Sequence, residues 1–165
     1  MKADKISKKL FANLFLLGLV GTVILIASTS IKAQTVSSKT INRYIEKIRE
    51  DASEYKEARK IVYGDVNGDG VKDAVVQYTL EGAGGGNSWG QSLVVFLNVK
   101  GVFKLSDDET VGGKFFRIFT LQKVVGKQII GATETCPRGE PQGICKNPKK
   151  AQVKYVLLNG KLKEK

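Results

Sequence analysis

From Thr40 onward, apolar side chains fall at Ile41, Tyr44, Ile45, Ile48, Ala52 and Tyr55, the i, i+3, i+4, i+7 spacing that lines one face of an α-helix. Charged residues such as Arg43, Glu46, Lys47 and Glu50 fill the positions between them. The pattern predicts an amphipathic helix of about four turns that covers one face of a sheet, with Ser38 as its N-cap. Beyond it the apolar residues gather in short runs. Lys60 to Tyr63, Asp73 to Leu80, Ser92 to Val99 and Val102 to Leu105 read as strands, and so do Phe115 to Val124, Lys127 to Thr135, Ala151 to Leu158 and Leu162 to Glu164. Turn signals separate them: Lys100-Gly101, Gly126, and Asn159-Gly160, the last a strong type I′ hairpin signal. The expected architecture is α+β, one amphipathic helix packed on an antiparallel β-meander of about seven strands.

The start of the chain has a different pattern. Lys2, Lys5, Lys8 and Lys9 precede an almost wholly apolar run from Leu10 to Ala27, and small or polar residues follow to Ala33. That order of basic, apolar and small-residue regions predicts a secretory signal peptide over residues 1–33, cleaved after Ala33. The alternative is an uncleaved anchor, for which the run falls short of the roughly 20 residues that span a bilayer. Residues 34–165 then form a single α+β domain of a periplasmic or extracellular protein, with no stable membrane span after cleavage.

Removing the leader changes the charge picture. It takes away five of the 27 basic residues and one of the 16 acidic ones, so a net charge of +11 becomes +7. What remains is uneven: Lys114 to Lys165 holds 12 basic and 3 acidic residues, whereas Gln34 to Gly113 holds 10 and 12. A basic C-terminal half suits a polyanion or an anionic glycan. No Arg-rich run with interleaved aromatics marks a nucleic-acid site.

The sharpest chemistry lies in Asp65-Val66-Asn67-Gly68-Asp69-Gly70-Val71-Lys72-Asp73. Oxygen-bearing side chains stand at positions 1, 3, 5 and 9 around a glycine at position 6, a spacing that can wrap a hard cation in oxygen ligands. Asp65, Asn67, Asp69 and Asp73 are the expected Ca2+ ligands, joined by the carbonyl of Val71 at position 7. Position 12 is Val76, which excludes an EF-hand, where a bidentate Glu is required. The stretch resembles the calcium loops of FG-GAP/VCBS-type repeats, D-x-[DN]-x-[DN]-G-x-x-D between two short strands, matched here by Asp65, Asn67, Asp69, Gly70 and Asp73. The resemblance covers about 20 residues and implies a structural calcium clip. It does not carry over the β-propeller of that family, which needs several blades where this chain has one loop.

Glu81 to Gly90 is rich in glycine and contains Trp89, the only tryptophan, which could stack on a sugar or a partner or fold back onto the core. Gly86-Asn87-Ser88-Trp89-Gly90 fits the nucleophile-elbow pattern, but the protein has no histidine to activate Ser88. Asp107, Asp108 and Glu109 are expected in a solvated acidic loop over Ser106 to Gly113. Cys136 and Cys145 are expected to form one structural disulfide, since eight intervening residues do not make a C-x-x-C redox pair. The sequence therefore points to an exported, calcium-stabilised, non-catalytic domain, a binding or envelope-associated module. Two alternatives stay open: an enzyme acting on an envelope glycan or other polyanionic polymer through Glu81 or the acids at 107–109, and an inhibitor or partner protein that presents the disulfide loop.

Overall fold

Strand β3, Asp73–Glu81, is buried from Asp73 to Thr79, and this sets the layering of the protein. The computed structural model describes residues 37–83 and 86–165, so the expected signal peptide lies outside the described residues. Residues 40–165 form one compact unit. Helix α1 spans 37–48. Ser38 lies inside it and is not its N-cap. The amide of Arg49 donates to Ile45 at 3.0 Å, and Glu50 then takes a left-handed backbone (φ 47°) that ends the helix. Ala52 and Tyr55 consequently leave the predicted helical face, and the intervening Ser53–Glu54 forms strand β1.

The strands make two antiparallel sheets where one meander was expected. The first sheet contains β1, β2 (Lys60–Gly64), β3, β4 (Trp89–Val99) and β5 (Val102–Gly113). Strand β3 pairs with β4 on one side; on the other it pairs with β2 along its first half and with β1 at its end. The second sheet is the meander β6 (Ile118–Val125), β7 (Gln128–Thr135), β8 (Lys149–Leu158) and β9 (Lys161–Glu164). The sheets part because Phe115 and Phe116, expected in a strand, instead form a tight turn closed by Gly113 N–H on the Arg117 carbonyl at 2.9 Å.

Alternation along β3 supplies two cores. Ala74, Val76 and Tyr78 face α1, where Ile41 and Ile45 join Val94, Phe96 and Phe103. Val75 faces the second sheet and packs with Leu93, Val95, Phe119, Leu121 and Ile129. Burying side chains of this kind stabilises by about 1.5 to 3 kcal/mol each. The helix thus covers one face of the first sheet, and the second sheet covers the other.

Strand β5 also absorbs the acids expected in a loop. Its register against β4 shifts between Val95 and Phe96, leaving Ser106 as an extra residue of a β-bulge. Past the bulge, Asp107 turns to the second sheet, accepting from the Leu162 amide at 2.8 Å and the Lys161 ammonium at 2.9 Å. Asp108 turns to the helix side, where the hydroxyls of Tyr44 and Tyr78 donate to it at 2.7 and 2.5 Å. Burial first, and then the Asp108 hydrogen bond, push both tyrosines well above the usual phenol value.

The two sheets are also joined by polar bonds in an apolar interface. The Gln77 side chain donates to Phe119 O at 3.0 Å and accepts from Leu121 N at 2.7 Å, while Gln91 accepts from Phe119 N at 2.7 Å. These amides satisfy the free backbone edge of β6, which a buried strand cannot leave bare. Gly112 must remain glycine, since a Cβ there would lie 2.7 Å from the Arg117 carbonyl oxygen and 2.4 Å from the bonded Gln91 Oε1. Replacing Gln77 with Leu, near in volume but unable to hydrogen-bond, should orphan the buried Leu121 amide, while Phe119 O keeps its 3.2 Å bond from the Gln91 side chain, and cost about 1 to 3 kcal/mol. Urea denaturation measures this, and a loss below about 0.5 kcal/mol would mean the amide contributes only packing.

Candidate metal centre

The loop at 65–73 joins β2 to β3, as its sequence predicted, and is wound by its own side chains. Asp65 accepts from Gly68 N at 2.5 Å and Gly70 N at 2.9 Å. Asn67 accepts from Asp69 N at 3.0 Å, and Asp69 accepts from Val71 N at 2.8 Å. The Asn67 and Asp69 bonds are Asx turns, and Asp65 reaches farther, across the whole bend. Gly70 has open space around it but takes φ +81°, a conformation L side chains resist, so its role is conformational.

Asp73 stands apart from the other acids. Its carboxylate is fully buried and accepts from Val66 N at 3.0 Å with one oxygen and from Asn98 N at 2.9 Å with the other. It therefore ties the start of the loop to the end of β4. Burial raises its pKa above the ordinary carboxylate value; the Asn98 and Val66 amides oppose that rise, and the charges of Asp69 and Asp65 add to it. Asn98 also reaches the loop through its side chain, which donates to Lys72 O at 3.2 Å.

The donor set is all oxygen, the chemistry that a hard cation requires. Among the described residues no three acids are gathered into a ready-made metal cage, and Asp69 Oδ2 is engaged by the Asn67 amide at 3.0 Å. Yet Asp65 and Asp69 lie close enough to Asp73 for their charges to disfavour its ionisation, and a divalent cation would relieve that repulsion. The residues thus fit Ca2+ in donor chemistry, although their side chains are not gathered around one point. Asp65, Asn67, Asp69 and Asp73 would hold it by their side chains and Val71 by its carbonyl.

One partner of the loop had no signal in the sequence. Lys127, at the β6–β7 turn, lies over Gly68 so closely that a Cβ there would sit 2.2 Å from its Nζ. Its charge helps to hold the Asp65 carboxyl below the usual range, after the larger effect of the Gly68 amide. A tethered ammonium beside an acidic loop is a competitor for any soluble cation.

The remaining predicted positions lie elsewhere. Trp89 is the first residue of β4, half-buried and in register with Glu81, so it belongs to the sheet and not to the glycine loop. That loop is closed by Gly82 N–H on Ser88 O at 2.9 Å. Cys136 and Cys145 form the expected disulfide, with Cα atoms 5.8 Å apart. The acids at 107–109 do not converge, because Asp107 and Asp108 point to opposite faces of β5.

Lys127→Met should raise Ca2+ affinity about two- to tenfold, the effect of deleting one nearby like charge in a hydrated site. Calorimetric titration tests this, and unchanged or weaker binding would show that Lys127 does not compete. Comparison with protein-family models, curated proteins and solved structures finds no match for this chain, so its function is argued from these residues alone.

Proposed function

We propose that this protein is an exported, non-catalytic domain whose fold Ca2+ stabilises at the 65–73 loop, and that it acts as a binding or cell-envelope-associated module. The observation that carries the reading is the buried Asp73 carboxylate, which links the loop to β4 while Asp65 and Asp69 repel its charge. A cation there would join β2, β3 and β4 at one point. The Cys136–Cys145 disulfide supports export, since such bonds persist in oxidising compartments. It also stabilises the fold by about 2.5 to 3 kcal/mol if its effect is to restrict the unfolded chain.

The enzymatic alternative has weaker support, since two of its candidate groups have structural partners. Asp107 is committed to the Leu162 amide and Lys161, and Asp108 to two tyrosine hydroxyls. Glu81 is exposed at the end of β3. A carboxylate pair needs both groups aimed at one bond, and these are not.

An extracellular calcium loop binds with Kd of about 0.1 to 1 mM. At ten times Kd the cation adds about 1.4 kcal/mol, a rise in Tm of about 5 °C for a domain of this size. Thermal unfolding of residues 34–165 in EDTA and in millimolar Ca2+ should show that rise, and Asp69→Ala should abolish it. Equal Tm values with and without calcium in the parent protein would reduce the loop to an ordinary turn.

A further inference from the structure

Opposite the calcium loop, two loop tips carry large apolar side chains into solvent. Phe115 is 72% exposed and Phe116 50% at the β5–β6 turn, and Ile144 is 76% exposed in the disulfide loop. The backbone binds the tips together: Gln142 N donates to Lys114 O at 2.8 Å. The disulfide loop also lies against the start of β6, where a Cβ on Gly143 would be 3.4 Å from Ile118 Cδ1. The turn is also fixed to β4, with Lys114 N donating to Trp89 O at 3.1 Å. Cations flank the aromatic rings, Lys114 Nζ at 5.5 Å from the Phe115 centroid and the Arg117 guanidinium at 4.6 Å from that of Phe116.

Arg138, Lys146 and Lys149 are exposed in and beside the disulfide loop. None of the three forms a salt bridge among the described residues, whereas Lys150 pairs with Glu134 at 3.2 Å. Apolar side chains on exposed tips, flanked by cations that outnumber the nearby acids Glu134 and Glu140, have the composition of an interfacial anchor. The apolar groups enter the headgroup boundary and the cations meet lipid phosphates. A core-forming purpose for Phe115 or Ile144 is ruled out by their exposure.

The geometry points to a binding surface for anionic lipid bilayers, formed by the 114–117 turn and the Cys136–Cys145 loop. Phe115 and Ile144 insert, while Arg138, Lys146 and Lys149 supply the attraction to phosphate. The disulfide holds Ile144 beside the turn. This surface gives the envelope-associated reading its substrate, and it rests on that reading for its location but not on calcium.

Vesicle flotation tests it with residues 34–165, the unit that contains both cores, so that the apolar leader cannot anchor the protein. The probes are phosphatidylcholine vesicles with and without phosphatidylglycerol, and Trp89 provides a second readout by fluorescence. The parent protein should bind the anionic vesicles and lose affinity as salt rises. Phe115→Ser with Ile144→Ser should weaken binding about tenfold, the cost of removing apolar groups that are partly buried on insertion, at unchanged Tm. Arg138→Glu with Lys146→Glu should abolish the preference for anionic lipid. No binding by the parent protein overturns the proposal. So does equal binding by the Ser variant, or binding to soluble polyphosphate that matches vesicle binding, which would make the surface a polyanion site. The assay is run in EDTA and in Ca2+, so failure here leaves the Tm test of the calcium loop untouched.

Discussion

A single buried carboxylate fixes the relation between the acidic loop and the sheet it interrupts. Asp73 is the first residue of the most buried strand, and each of its oxygens accepts one backbone amide, from Val66 before it and from Asn98 in the next hairpin. A buried charge is costly unless its hydrogen bonds are met, so these two amides are a condition for β3 to begin where it does. They stabilise the carboxylate against the desolvation that raises its pKa. The loop is therefore held at both ends by the fold, whatever its middle binds. A cation would add to a turn that is already positioned.

From that point the antiparallel order divides the protein into two ends. The β2–β3, β4–β5 and β6–β7 connections lie together, and Asn98 and Lys127 reach the acidic loop from the second and third of these. The β3–β4, β5–β6 and β7–β8 connections lie at the other end, where Trp89, Lys114 and Gln142 are joined through their backbones. Charge follows this division: a compact acidic site at one end, exposed cations and aromatic tips at the other. The layers between are joined by shared packing and hydrogen bonds. β3 and β4 give alternate side chains to two cores, and Gln77 and Gln91 bond the edge of β6 in place of a neighbouring strand.

Local patterns were legible in the sequence, and long-range ones were not. The hairpin turns at Lys100-Gly101 and Asn159-Gly160 and the disulfide follow from neighbouring residues, and they occur as read. Ala52 and Tyr55 continue the helical spacing, but the left-handed Glu50 stops the helix first, and nothing in the spacing encodes that. The acids at 107–109 look like a loop by polarity. They sit in a strand because Asp107 and Asp108 find partners more than 25 residues away, on opposite faces set by the bulge at Ser106. One meander became two sheets for a similar reason: Phe115 and Phe116 have strong strand preference, yet the turn closed by Gly113 and Arg117 places them in solvent. Lys127 and Asn98, the loop's most distant partners, reach it only through the folded topology.

Amide hydrogen exchange, resolved by residue in EDTA and in millimolar Ca2+, tests the central claim most directly. The account predicts slow exchange at Val66 and Asn98 in both conditions, because Asp73 holds them, and calcium-dependent slowing confined to Gly68, Gly70 and Val71. Rapid exchange at Val66 and Asn98 without calcium, or no change in the loop on adding it, would contradict the account.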